Sequence, residues 1–589
     1  MVNLIVAQSC RDSNWSKIQI KMLILALIVI YLGSIFVLYD RRDPYTRPSV
    51  FYISASIILT SLAILSLNLN CNLDTGTKLV TFLFLLLVIF TFVISQYYLF
   101  PLVTGVDPWF HMKFNNDIVR TGRIPYSQSQ YFGMYASSKV QYSRMPVFHI
   151  LIVVMRYIES IDYKSAVMFS ISLPQLLIVS MITYLLSRYI FKRSSGLNFL
   201  VVLITISAEH FIFMLRNPIP NSLGGVYLAL VFWSLFKFLN EDISPKVYLL
   251  LLIFSFTLSI THSISTIAMF IALGSVFMLL MIHESILKSS RDASKKTFML
   301  IILSGVVVYF WWTYISGHTP KILDILKTGL IATKLIRGYA VMKTKIHFFD
   351  LVIGVIPVII YHILALIGIA ILLFRRGIKE IVSDKILALT ILIGGSYAVL
   401  GSIPRLLGFA LLAHRWWYFS EMFLSVPVAI GVSNILIHKS KLIKLMGVIT
   451  VAIYFTLTLT EPQYVSIDGM SYYEKDSFRY SLILSELQYT NFAKVHNITC
   501  VSSDEYYAYV LSILGMKTEE INDELLTRSF ETVKCPVIGI RTYMLFHPIK
   551  VHQFVYKVPY NPLRILSPRV EWNKIYSSNA LNVFRKIYI

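Results

Sequence analysis

An all-α polytopic membrane protein, with about thirteen transmembrane helices and a small C-terminal α/β domain, is the fold class this sequence predicts. Three observations predict it. Hydrophobic residues fill 56% of the 589 positions against 14% charged, and the mean hydropathy of +0.68 lies well above that of a soluble domain. Apolar runs long enough to cross roughly 30 Å of hydrocarbon recur as far as Thr460, and lipid forces each to be helical because unsatisfied backbone groups are costly there. Beyond Thr460 the pattern changes to short mixed runs such as "PVIGIR" and "DEYYAYVLSILG", which read as α/β.

The spans fall near 20–39, 50–69, 78–100, 165–187, 196–215, 222–239, 247–260, 264–283, 298–316, 349–374, 385–402, 416–436 and 441–460. The run at 247–260 is short enough to merge with its successor. The first run is too long for a signal-peptide core and lacks a small-x-small cleavage site, so it reads as an anchor. Residues 1–77 form a two-helix extension. Residues 78–460 form the main membrane domain, with a first large loop at 101–164 and a basic loop at 317–350, and 461–589 form the tail. No fixed-period repeat occurs, and paired discontinuous helices are not evident.

The net charge of +22 sits mostly in short loops between spans, where Lys and Arg hold cytoplasmic ends, so it does not indicate nucleic-acid binding. With the first span starting in the cytoplasm, the even-numbered junctions carry Arg188, Lys192 and Arg193; Lys288, Arg291, Lys295 and Lys296; Arg375, Arg376 and Lys379; and Lys439, Lys441 and Lys444. That is the positive-inside pattern, and thirteen spans then leave the tail outside the plasma membrane. The sequon "NIT" at Asn497–Thr499 is usable only outside, and Cys500 and Cys535 could pair there. The external loop 317–350 opposes the charge rule, carrying Lys321, Lys327, Lys334, Arg337, Lys343 and Lys345. Either it binds an anionic ligand or it is a surface helix on headgroups.

This topology sorts the conspicuous polar residues onto one face. Asp107, His111 and Asp117 open the first loop, which also holds Arg144 and an apolar stretch, "PVFHILIVVMRYI", expected at the interface. Glu209 and His210 reach the external end of the fifth span, Thr261 and His262 that of the seventh, and Arg405, His414 and Arg415 precede the twelfth. Singly, each histidine reads as a capping or snorkelling residue; together, ionisable groups at such depth point to a functional site. A carboxylate at the membrane edge can act as general base toward an acceptor hydroxyl or as an oxygen ligand to a divalent ion. Arg415 can bind a phosphate bidentately.

The segment "GVDPWFHMKFNNDIVRTGRIP" resembles the first external loop of GT-C superfamily glycosyltransferases, especially their archaeal, oligosaccharyltransferase-like branch. "YSRMPVFHILIVV" is similar to the rest of that loop, "HRWWYFSEMFLSVPVAIG" to the late-helix Arg motif, and "NKIYSSNALNVFRKIYI" to a closing strand pair. The resemblance implies that Asp107 is the catalytic carboxylate, as base or metal ligand. It implies that Arg415 contacts donor phosphate or acceptor, and by position alone it matches Glu209 to a second acidic motif. The tail lacks the Trp-Trp-Asp-Tyr-Gly motif that reads an acceptor sequon, because Trp416 and Trp417 are followed by Tyr418 and Phe419 at the start of a span.

The expected activity is sugar transfer from a polyprenyl (dolichyl) phosphate donor to a glycan, lipid or protein acceptor on the external face. Asp107 and Glu209 would be catalytic and could hold Mg or Mn. Arg415, Arg405, Lys334 and Arg337 would meet donor phosphate, and His111, His210, His262 and Arg144 would line the substrate. Partners would be the lipid-linked sugar, membrane lipids and the acceptor. The alternatives are an oligosaccharyltransferase catalytic subunit and, from another class, a transporter or flippase of lipid-linked sugars.

Overall fold

The computed structural model describes residues 16–41, 47–67, 69, 74–104, 106–125, 142–192, 194–240, 245–287, 292–320, 322–323, 327, 348–406, 413–460, 482–527, 529–542, 549–551, 554–556, 561–566, 572–578 and 581–586. The membrane part contains α1 (Lys17–Tyr39), α2 (Ser49–Ser66), α3 (Thr75–Tyr97), two loop helices α4 (Val106–Thr121) and α5 (Val147–Glu159), and then α6 (Tyr163–Phe191). It continues through α7 (Ser195–Ile206), α8 (Glu209–Arg216), α9 (Pro220–Asn240), α10 (Pro245–Ser259), α11 (Ser263–Leu287) and α12 (Asp292–Phe310) to α13 (Phe348–Ser383), α14 (Lys385–Leu406), α15 (Ala413–Leu436) and α16 (Lys441–Thr460). Among the described residues, eleven helices are long and apolar enough to cross a membrane, and twelve if the bent pair α7 and α8 is one span. The fifteen-residue apolar helix α10 completes the predicted order.

Burial separates the lipid-facing helices from the core. α1 exposes Met22, Val29, Leu32 and Phe36, whereas every α7 residue from Gly196 to Ile206 is buried. α15 is the central pillar, and it packs against α13 where a Cβ on Gly368 would stand 2.7 Å from the Pro427 carbonyl carbon and 3.1 Å from the Gly431 nitrogen. Small residues permit this backbone contact, which gives dispersion energy that lipid cannot.

The fifth span is broken. α7 stops at Ser207, and α8 leaves at 57° to it. Glu209 and His210, expected at the external end of the fifth span, therefore stand at the bend between the two helices.

The tail holds α17 (Leu484–Val495), β1 (Cys500–Ser503), α18 (Glu505–Ile513), β2 (Lys517–Glu520), α19 (Asn522–Thr527), β3 (Val537–Arg541), the small hairpin β4 (Ile549–Val551) and β5 (Phe554–Tyr556), α20 (Pro562–Leu566), β6 (Trp572–Ser577) and β7 (Leu581–Lys586). Its main sheet has the order β2-β1-β3-β7-β6, with the first three strands parallel and β7 antiparallel to both β3 and β6. Cys500 and Cys535 are bridged across this sheet. "DEYYAYVLSILG" is mostly the helix α18, and "PVIGIR" is the buried strand β3. Arg541, at the end of β3, donates from Nε and Nη2 to both oxygens of Asp504 at 2.9 and 2.6 Å, while Asp504 caps α18 by accepting from the Tyr507 nitrogen.

Candidate active site

Helix α4 follows the third span directly, and its two faces divide the roles of its residues. Asp107 lies exposed in the first turn, with Pro108 beside it where a missing N–H costs nothing. Trp109 is fully buried and donates its indole N–H to the Tyr506 hydroxyl of α18 at 3.0 Å. The tail is thereby seated on the same membrane face as the loop. One turn beyond Asp107, His111 is only 2% exposed, and its Nδ1 lies 3.3 Å from Nε2 of His149 on α5. Asp117 is half-buried and pairs at 3.2 Å with the exposed side chain of Arg120.

Helix α5 is pinned to α4 through polar contacts that orient His149. Asn115 donates to the His149 carbonyl at 3.2 Å, and Arg156 donates from Nη1 to Asn115 and Asn116 at 2.7 and 2.8 Å. An N···N hydrogen bond needs one imidazole to donate and the other to accept, which two neutral rings supply. Burial lowers both pKa values, and for His111 the further influence of Arg415 brings it to about 3.

Three more groups reach this wall from separate spans. Arg415 of α15 donates from Nη1 to His262 Nε2 at 3.3 Å. The other ring nitrogen of His262, Nδ1, lies 2.9 Å from the Ser265 hydroxyl and 3.3 Å from the Ser265 backbone nitrogen, and that hydroxyl donates to Asn221 at 3.0 Å. Burial, followed by Arg415, His318 and His111, holds His262 well below the ordinary imidazole range. The buried Arg415 Nε has no hydrogen-bond partner among the described residues. Gly224 allows the approach of α9 to α11, since a Cβ there would lie 2.7 Å from Ser265 Cβ and closer still to its hydroxyl. His318 bonds Ser316 at 3.1 Å beside the Trp312 ring.

A five-residue π-helical turn, Trp311–Ile315, ends α12 beneath these groups. It directs the Trp311 indole to the Arg144 carbonyl and the Trp312 indole to the Ser259 carbonyl, each at 3.1 Å. Lys164, at the start of α6, donates to the Phe100 and Leu102 carbonyls at 2.6 and 3.2 Å, holding the chain that leads into Asp107.

No protein-family model matches the sequence, and neither does any curated protein. Among solved structures, the chain is similar to ArnT from Cupriavidus metallidurans in the apo state, at 9% identity and a TM-score of 0.47 over 86% of this chain and 98% of that one. The same enzyme bound to undecaprenyl phosphate gives 10%, 0.46, 87% and 99%. An oligosaccharyltransferase from Archaeoglobus fulgidus, in complex with Zn and sulfate, gives 12% identity and a TM-score of 0.46 over 79% of this chain and 69% of that one. Likenesses of this size assign no chemistry to any residue here.

The predicted site residues separate into two groups. His111, His262 and Arg415 come together; His149 and His318, which join them, were missed because nothing local in sequence marks them. Arg144 approaches through its backbone. Glu209 and His210 stand apart, in a membrane-embedded network that sequence reading also missed. There Glu421 of α15 accepts from the His210 nitrogen at 3.0 Å and from its Nδ1 at 2.9 Å, capping α8 at the bend. An acid in the middle of a span was the available signal. Beside this pair, His362 donates to the Val358 carbonyl and accepts from Ser420.

Pro108, next to Asp107, lines a narrow cleft with Arg216 and Asn217, which lie at the opposite end of α8 from Glu209. Among the described residues, no three His, Cys, Asp or Glu side chains group as a metal site. Arg405 lies in the last turn of α14, while Lys334 and Arg337, with most of the basic loop, lie outside the described residues.

Proposed function

We propose that this protein is a membrane glycosyltransferase that takes a sugar from a polyprenyl phosphate donor, dolichyl phosphate foremost, and passes it to a hydroxyl on a glycan, lipid or protein at the external face. The observation that carries the reading is the exposed carboxylate of Asp107 one helical turn from His111, which itself lies within the electrostatic reach of the half-buried Arg415. Asp107 would take the acceptor proton as that oxygen attacks the anomeric carbon. The bond from that carbon to the phosphate oxygen breaks with inversion, and the phosphate leaves with the electron pair toward Arg415. His111, neutral, would hydrogen-bond the sugar or orient the carboxylate. No step is assigned to a metal.

The external placement is supported by the bridged Cys500 and Cys535, since disulfides persist in oxidising compartments. It is also supported by the basic junctions at the opposite ends of the spans. The broken fifth span favours one second reading, a transporter of lipid-linked sugars, because half-helices with ionisable groups at their break are a transporter device.

The deciding experiment supplies purified protein with radiolabelled dolichyl phosphate sugar and mixed acceptors, comparing wild type with Asp107→Asn. Transfer in wild type, reduced at least a hundredfold by the substitution, is the expected result. Unchanged transfer by Asp107→Asn would remove Asp107 from the mechanism. Translocation across vesicles without transfer would favour the transporter, and transfer that survives a chelator would argue against the metal-dependent oligosaccharyltransferase alternative.

A further inference from the structure

The tail presents one motif that neither the transfer site nor the fold accounts for. α17 ends in a reversal in which the His496 nitrogen donates to the Phe492 carbonyl and the Ile498 nitrogen donates back to the Ala493 carbonyl at 2.8 Å. Asn497 sits at the apex in the left-handed region, at φ 49°, a conformation that asparagine tolerates better than most residues. That backbone need explains an asparagine or a glycine at 497. It does not explain Thr499.

Asn497 and Thr499 are both exposed, with Ile498 half-buried between them, so the acceptor amide and the hydroxyl two residues on are open together. The Asn497 side chain makes no hydrogen bond among the described residues. Just before it, Val495 is 77% exposed, bare hydrocarbon that a bulky polar group would shelter. Cys500, the next residue after Thr499, is bridged, which sets this turn in the compartment where sequon-directed glycosylation takes place.

From this exposed turn we infer that the protein is itself modified, with Asn497 carrying an N-linked glycan added by a separate sequon-directed oligosaccharyltransferase. The donor is a polyprenyl-phosphate- or polyprenyl-diphosphate-linked oligosaccharide. A bond forms between the Asn497 side-chain nitrogen and the anomeric carbon of the first sugar. The bond from that carbon to the phosphate oxygen breaks, the lipid phosphate leaves with the electron pair, and one amide proton passes to solvent.

The inference rests on the external placement of the tail used above, and the test separates the two. The full chain is produced in a host with sequon-directed glycosylation, alongside a version carrying an extra exposed sequon appended after Ile589. The expected result is a mobility shift on glycosidase treatment and a tryptic peptide bearing hexose and N-acetylhexosamine mass on Asn497. Asn497→Gly, which keeps the left-handed turn, and Thr499→Ala should each abolish both signals, whereas Thr499→Ser should retain them. An appended sequon that is modified while Asn497 stays bare would overturn the inference and leave the tail outside. If neither is modified, both the inference and the external placement fail.

Discussion

Gly224 offers a direct test of the packing that holds the site together. An alanine there would put its Cβ 2.7 Å from Ser265 Cβ and 3.3 Å from His262 Cβ, the first about 1 Å short of van der Waals contact. These are the first residues of α11 and the one before it, so relief requires moving the helix end that carries the His262 ring. Overpacking of this kind costs about 1–3 kcal/mol, while replacing a helical glycine by alanine returns about 0.5–1 kcal/mol. A net destabilisation of about 1–2 kcal/mol is therefore expected for Gly224→Ala. The functional loss should be larger than that implies, because the displaced His262 no longer accepts from Arg415. Ser265→Gly removes both colliding atoms, so the double variant should show a favourable coupling of about 1–3 kcal/mol. The measurement is denaturant unfolding of the detergent-solubilised full chain for all four members of the cycle, with donor binding in parallel. A Gly224→Ala protein as stable as wild type, or a strictly additive cycle, would refute the claimed close approach of α9 and α11.

Three further outcomes are expected. Glu421→Ala leaves the α8 end and the His210 ring without their buried acceptor and should cost about 3–5 kcal/mol, read as a lower unfolding midpoint; Glu421→Gln, which keeps an acceptor, should lose less. Acid should weaken the fold before it charges the site. Between pH 6.5 and about 3 the unfolded chain protonates the residue-111 imidazole and the folded chain does not, so stability falls as pH falls through 6.5, by about 2 kcal/mol at pH 5. Unfolding curves at pH 7.5 and 5 measure this, and His111→Gln should flatten the difference. Trp109→Phe loses the bond to Tyr506, at about 1 kcal/mol, and should expose the tail to faster proteolytic nicking at unchanged helical content by circular dichroism.

The spans were legible in the sequence because a bilayer demands long apolar helices whatever their neighbours, and the eleven long apolar helices among α1 to α16 follow that rule. The pairing of Cys500 with Cys535 was accessible too, since both lie in strand-like runs of one domain. The site was only half legible. Asp107 and His111 share a helix turn, so spacing alone joins them. His149, His318 and Arg415 meet His111 through tertiary packing across loops and spans. The break between Ile206 and Glu209 was hidden because apolar residues flank it on both sides and no proline marks it. Asp504 and Arg541 meet only through tertiary packing of the tail, each buried by the other.

The bond between Trp109 and Tyr506 joins residues 397 positions apart. A ribosome delivering this chain will have made α4 long before α18 exists, so the loop must wait, with its indole unanchored, until the tail has been synthesised. Assembly order is thereby written into the molecule. A chain truncated between residues 461 and 505 would keep every span and still lack the hydroxyl that anchors this loop.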